Sequence, residues 1–259
     1  MSDLNYKILM SGSSGNCVVI EDVMFDLGGI NIKHFPELLQ LNNIDMNNIN
    51  FLTHSHAHSD HYNPSLDWKL YQQYPQLDFV VRKSMYERLW SDMNITKRHK
   101  HLDTVEHLQQ RILKMPDVWQ SNKLIIKAFD LPHGDTRSTG YVGYSKETKS
   151  TFFFATDFDS ISVLPHLKHI DHVFIEANHE ANWMGKLFGK GVIPTEWVVE
   201  STSRHLSIED SKTYANMISS SDPDIHYLHK SSRFFDIDNL NVDDLIRTGQ
   251  AVPIEKYQN

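Results

Sequence analysis

The stretch Phe51-Leu-Thr-His-Ser-His-Ala-His-Ser-Asp-His-Tyr62 packs four histidines and one aspartate into positions 54–61. Neither helix nor strand packing asks for that spacing, and a buried imidazole without partners is costly. Within it, His56, His58, Asp60 and His61 form the pattern H-x-H-x-D-H. Two histidines two apart on an extended segment point to one side, and Asp60 and His61, a turn later, can face a second ion. Imidazole nitrogen with carboxylate oxygen suits Zn²⁺, or Mn²⁺ and Fe²⁺ where the carboxylate share is high. Such ions polarise phosphoryl oxygens and acidify water. A histidine-rich surface loop is the alternative. An isolated H-x-H fits that alternative, whereas the full six-residue spacing does not.

The elements that must position these groups read as interleaved strands and helices, hence α/β layers. YKILM (6–10) is a strand, SGSSGN a turn, and CVVIEDVMFDLGG two short apolar runs joined at Glu21-Asp22 as a hairpin. A short helix is expected within 35–48, a strand at 49–52, a helix around 65–74, a strand at 79–81 and a helix near 83–92. The segment 104–116 is ambiguous. KLIIKAFDLPH (123–133), TGYVGYS (139–145), TFFFATD (151–157), DHVFIEAN (171–178) and DIHYL (224–228) read as strands. A helix follows Ser207, where SIED supplies an N-cap hydroxyl and an acidic first turn. Another is expected at 238–248. The rich polar clusters each fall where a predicted strand has ended: 54–61, His133, Asp157, Glu176 to His179, and His229. Strand ends on one rim of a sheet converge, so these groups can close around metal.

At 259 residues the chain has room for one sizeable core, and a single domain spanning 1–259 is expected. No apolar run reaches the roughly 18 residues needed to cross a bilayer. The first residues lack the basic start and apolar core of a secretion signal, and the single cysteine, Cys17, forms no internal disulfide. The cytoplasm is the expected compartment. The net charge of −8 carries no basic footprint for duplex nucleic acid. The densest basic stretch, KRHKH at 97–101, reads as a solvated turn.

The H-x-H-x-D-H turn resembles the metal signature of the metallo-β-lactamase fold superfamily, and the likeness runs through most of the chain. That resemblance implies an αββα sandwich of two mixed sheets flanked by helices. Asp26-Leu-Gly-Gly is similar to the early Asp-x-Gly turn whose carboxylate braces the metal loop. Carried over position by position, one ion takes His56, His58 and His133. The other takes Asp60, His61 and His229, with Asp157 shared between two divalent ions, Zn²⁺ or Mn²⁺. The family's first ligand directly follows a strand-end threonine. Here Thr53-His54-Ser55 stands as an extension, and His54 either braces the site or competes for it.

The C-terminal third is similar to the RNase Z-like phosphodiesterases in the order Glu176-Ala-Asn178-His179, Arg204-His205-Leu-Ser207 and His229-Lys-Ser231-Ser-Arg233-Phe234. The likeness implies that His205 serves the leaving oxygen, that Glu176 orients it, and that Asp60 holds a metal and orients the attacking hydroxide. Ser231 and Arg233 then contact phosphate, the arginine through its forked donors. Ser11-Gly-Ser-Ser-Gly15-Asn16-Cys17 is closer to YycJ (WalJ)-like proteins, with Asn16 as a further substrate contact, and anti-Pycsar phosphodiesterases of phages resemble both groups. Hydrolysis of a cyclic nucleotide by a di-metal-bound hydroxide is the preferred expectation, with Trp183, Phe188, Phe234 and Phe235 as candidate stacking surfaces. A YycJ- or RNase Z-like DNA or RNA nuclease is the alternative, and a non-catalytic metal-binding protein or a thioester hydrolase lesser ones. GKLFGKGVIP (185–194) reads as a lid, a dimer contact or an exosite remnant. A homodimer, without membrane association, is expected from the resemblance alone.

Overall fold

The structure is a computed structural model that describes residues 3–83, 85–89, 91, 111–134, 136–231 and 234. Two six-stranded sheets face each other. The first runs β1 (Tyr6–Gly12), β2 (Gly15–Ile20), β3 (Val23–Phe25), β4 (Phe51–Thr53), β5 (Asp78–Val81) and β6 (Ile112–Lys114), in that spatial order. The second has β7 (Val118–Gln120), β8 (Leu124–His133), β9 (Thr136–Ser145), β10 (Thr151–Ala155), β11 (Ile170–Glu176) and β12 (Ser219–Leu228), likewise in order from edge to edge. Each sheet mixes antiparallel hairpins with parallel pairs. β2 and β3 pair antiparallel through the Glu21-Asp22 turn, and β3 and β4 run parallel. β10, β11 and β12 are parallel neighbours.

Aromatic side chains fill the space between the sheets. Phe25 from the first sheet meets Tyr141, Phe152 and Phe154 from the second, with ring centroids 5.0–6.0 Å apart. All four are at most 1% exposed, and burying each ring contributes about 1.5–3 kcal/mol. Helices cover the outer faces. α1 (Phe35–Leu41) and α2 (Pro64–Gln73) lie on the first sheet, where Leu66, Leu70 and Tyr71 join Phe79 and Val81. α3 (Ala181–Gly189), α4 (Thr195–Arg204) and α5 (Ile208–Ile218) follow β11, and α5 sets Tyr214, Ala215 and Ile218 against Phe153, Val173 and Ile175. Helix, sheet, sheet, helix is the sandwich expected from the sequence. Because β10 and β11 are covered on both faces, they read as unbroken apolar runs, not as alternating ones.

β12 begins at Ser219, five residues before its expected start. β7 and the helices α3 and α4 were not anticipated, and β6 lies in the segment left ambiguous. The basic stretch 97–101 and the helix expected at 238–248 fall outside the described residues. Among the described residues, no helix is long and apolar enough to cross a membrane.

Candidate metal centre

The centre is assembled where strands stop. Asp26 follows β3, Asp157 lies two positions past β10, and His229 follows β12. All three take left-handed backbone, with φ of 59°, 57° and 56°. Asp and His tolerate that region better than most residues, and it turns the chain sharply at the rim. The ligand turn after β4 is sewn to the turn after β3. Leu27 N donates to His61 O at 2.9 Å, Gly29 N to Ser59 O at 2.8 Å and Asp26 N to Thr53 O at 2.8 Å. The approach is close enough that a Cβ on Gly28 would collide with the backbone of Asp60 and His61.

Three groups of donor atoms result, each within 4.8 Å: His56, His58 and His133; Asp60, His61, Asp157 and His229; and Asp157, Glu176, His205 and His229. His56 Nε2 lies 2.8 Å from His58 Nδ1. The His133 ring centroid is 5.1 Å from that of His56 and 5.2 Å from that of His58. Asp157 stands between the sets, with Oδ2 2.8 Å from His61 Nε2 and Oδ1 3.5 Å from His229 Nε2 and 3.7 Å from His133 Nε2. The structure therefore brings together all seven residues expected as ligands.

The donors fit divalent cations. Asp26, Asp157 and Glu176 are carboxylates with at most 2% exposure, and buried negative charge demands a counter-charge. Asp157 Oδ2 accepts no aligned hydrogen bond although it is buried beside an imidazole. Burial pushes the Asp157 carboxyl up, but His229 and His61 outweigh it and hold it well below the usual carboxylate range. Burial opposes a proton on His229, yet Asp157 and its neighbours lift its pKa to about 10. Burial likewise opposes His61, and Asp157, Asp26 and Asp60 raise it well above the imidazole range. The surrounding carboxylates thus favour positive charge at this place, the charge that metal ions would bring. Burial and His61 push His56 well below the ordinary value, the lone-pair state a ligand needs.

Neighbouring groups fix ring orientation. Asp26 Oδ2 holds His61 Nδ1 at 2.8 Å and accepts from Ser55 Oγ at 2.9 Å, which leaves His61 Nε2 for Asp157. Glu176 Oε1 lies 2.5 Å from His205 Nδ1 and 3.2 Å from His229 Nδ1, so one carboxylate aligns both rings. His229 N donates to Ser11 Oγ at 2.8 Å. Glu176 against His205 is the sequence expectation, whereas its contact with His229 and the braces from Ser55 and Ser11 carry no signal in residue type.

His54 lies outside the three donor groups. It is fully buried, with Nε2 2.7 Å from Asp67 Oδ2 of α2 and Nδ1 3.1 Å from His61 O. Asn16, expected against substrate, is 2% exposed. It braces the turn, donating through Nδ2 to Gly12 O at 3.0 Å and lying 3.1 Å from His61 Nε2. Ser231 is 5% exposed, and its N donates to Asn178 O at 2.9 Å. Arg233 and Phe235 lie outside the described residues. Of the other stacking candidates, Phe234 is packed with Met184 and Ile193, and Phe188 is 46% exposed on α3.

A family described as "Beta-lactamase superfamily domain" matches residues 23–219, most of the chain, and the chain belongs to it. Its fold is the metallo-β-lactamase sandwich. No curated protein matches the chain by sequence. Among solved structures it is similar to human tRNase Z, short form, at 16% identity and a TM-score of 0.62, covering 88% of this chain and 93% of that one. Zn²⁺-bound PqqB from Methylobacterium extorquens shares 9% identity with a TM-score of 0.62, covering 96% of each chain. Unliganded yeast PDE1 shares 13% with a TM-score of 0.60, covering 90% of this chain and 89% of that one. At such identities the likeness is one of fold.

Proposed function

We propose that this chain is a phosphodiester hydrolase dependent on two divalent ions, Zn²⁺ foremost, and that its substrates are cyclic nucleotides. One observation carries the proposal: Asp157 stands between the two ligand sets, with Oδ1 3.7 Å from His133 Nε2 and Oδ2 2.8 Å from His61 Nε2, and the Glu176–His205 pair stands beside it, with His205 Nδ1 3.5 Å from Asp157 Oδ1. His56, His58 and His133 would hold one ion, Asp60, His61 and His229 the other. Bound there, the ions supply Lewis acidity and a more acidic water.

The chain's own groups do the rest. Asp60 Oδ2 lies 3.1 Å from His229 Nε2, at the place where an attacking water must be oriented. Glu176 accepts the Nδ1 proton of His205 and favours the protonated ring, whose Nε2 is then the atom that can give a proton to the departing oxygen. Glu176, through Phe158 N at 3.2 Å, is itself locked to the loop that carries Asp157. Arg233, with Ser231, remains the proposed phosphate contact by resemblance. A homodimer, a cytoplasmic setting and a single domain over 1–259 are part of the same proposal.

A net charge of −8 favours a small phosphodiester over a polymer, because polymer binding gains from phosphate neutralisation away from the site. The alternative is a nuclease, favoured by the structural likeness to tRNase Z. A panel of cyclic mononucleotides, bis-p-nitrophenyl phosphate, and DNA and RNA oligomers, each with Zn²⁺ and Mn²⁺, decides between them. Cyclic mononucleotides are expected to turn over fastest. Faster cleavage of oligomers would favour the nuclease, and no hydrolysis of any diester would remove the proposal.

A further inference from the structure

His205 also lines a cavity of about 280 Å³ beside the donor groups, close to the lower end of small-molecule sites at about 300 Å³. Its described lining includes two carboxylates, Asp159 and Asp210, the imidazole of His179, and the apolar side chains of Ile161 and Leu206. It includes no lysine or arginine. Asp159 Oδ1 accepts from Gly134 N at 3.2 Å, and Asp210 Oδ2 from Ser207 Oγ at 3.0 Å. The second oxygen of each has no partner among the described residues. His179 is 3% exposed, and its Nδ1 lies 3.1 Å from Ser201 Oγ. Its Nε2 has no described partner, so a buried ring offers the cavity one unpaired polar atom. Arg204, next in sequence to His205, is outside this lining and sits 3.6 Å from Glu200.

We propose, resting on the hydrolase assignment above, that this cavity receives the nucleoside on the leaving-oxygen side of the phosphodiester and rejects a second phosphate there. His205 links the two places, since it stands beside Asp157 and Glu176 and lines the cavity wall. A leaving oxygen protonated by His205 therefore belongs to a group seated in the cavity. Free carboxylate oxygens accept hydrogen bonds from hydroxyl and amino groups, and Ile161 and Leu206 offer an apolar wall to a ring. A phosphate in the same space would meet Asp159 and Asp210 with no lysine or arginine in the described lining and with His205 already paired to Glu176, and like charges so placed are strongly unfavourable. A strand cut internally must carry a phosphate just beyond its leaving nucleoside. A cyclic or terminal nucleotide need not.

The test is calorimetric binding to the zinc-loaded full chain of cytidine 5′-monophosphate, cytidine 3′-monophosphate and cytidine 3′,5′-bisphosphate. More charge should favour the bisphosphate at a cationic centre, so the opposite order is diagnostic. At least one monophosphate is expected to bind about tenfold tighter than the bisphosphate. Combining Asp159→Asn with Asp210→Asn, which keeps an oxygen for Gly134 N and Ser207 Oγ, is expected to narrow that gap to about threefold or less. A bisphosphate that binds wild type as tightly as both monophosphates overturns the inference, as does a gap unchanged in the double variant. Hydrolysis of bis-p-nitrophenyl phosphate, run in parallel, tests the hydrolase assignment by itself. Its loss would sink that assignment, whereas the binding order judges the cavity whatever the turnover.

Discussion

His54 and Asp67 face each other at 2.7 Å with neither side chain exposed. Removing one member of a buried ion pair leaves the other uncompensated, at a cost of about 3–5 kcal/mol. His54→Leu should therefore lower the melting temperature of the metal-free protein by about 10 °C. Combining it with Asp67→Leu should recover part of the loss, since a matched apolar pair leaves no stranded charge. Calorimetry on single and double variants checks this, and an unchanged melting temperature for His54→Leu would show that the pair does not support the ligand turn. His205 gives a different expectation. His205→Ala should keep both ions, because His205 is in neither proposed ligand set, yet slow hydrolysis by about a hundredfold or more. Metal content and kcat measured on one preparation separate the two effects. Lost metal would recast His205 as a ligand, which its place beside Asp157 and His229 in the third donor group makes a meaningful outcome.

Gly28 is the contact between two turns, and its missing side chain is the condition for Asp26 to reach His61. Gly28→Ala should therefore reduce bound metal and stability together, because the displaced backbone is that of Asp60 and His61. Gly185 is the control. It lies within α3, a Cβ there meets nothing within 4 Å, and alanine should leave metal content unchanged while stabilising the helix by about 0.5–1 kcal/mol. Metal analysis of the two variants measures this, and equal metal content in both would refute the role given to the turn contact. Why the ligands are legible in the sequence while other features are not follows from these elements. Apolar runs such as Phe152–Ala155 and Val173–Ile175 declare buried strands, so the polar residue just past each run stands at the rim. The first residues of β12, Ser219 to Asp222, are polar, and only Ser219 pairs with β11, opposite Ile170, before the register shifts, which no local pattern signals. Asp67 is thirteen positions from His54 on another element, and only tertiary packing joins them. The covering helices α3 and α4 bury little beyond Met184 and Ser201, and Gly185, Gly189 and the β-branched Val198 and Val199 are weak helix formers that conceal them in the sequence.

At the scale of the whole molecule, two sheets held by a shared aromatic core bring rim positions from six strand ends to one place. The sandwich explains why seven donors scattered from His56 to His229 meet, and why buried carboxylates tolerate their setting. Ions that bind only the folded form stabilise it, so chelator-treated protein should melt at a lower temperature than metal-loaded protein, by RT ln(1 + [L]/Kd) in stability. Thermal scans across a zinc titration check it, and a melting temperature independent of zinc would speak against any site formed in the folded state. The most direct measurement is the number of ions per chain, by elemental analysis of protein loaded with Zn²⁺ and freed of excess, for wild type and Asp157→Ala. The account predicts two ions in wild type and fewer than two in the variant, with diester hydrolysis lost alongside. Wild-type protein that holds no stoichiometric metal, or a variant that keeps two ions, would contradict it.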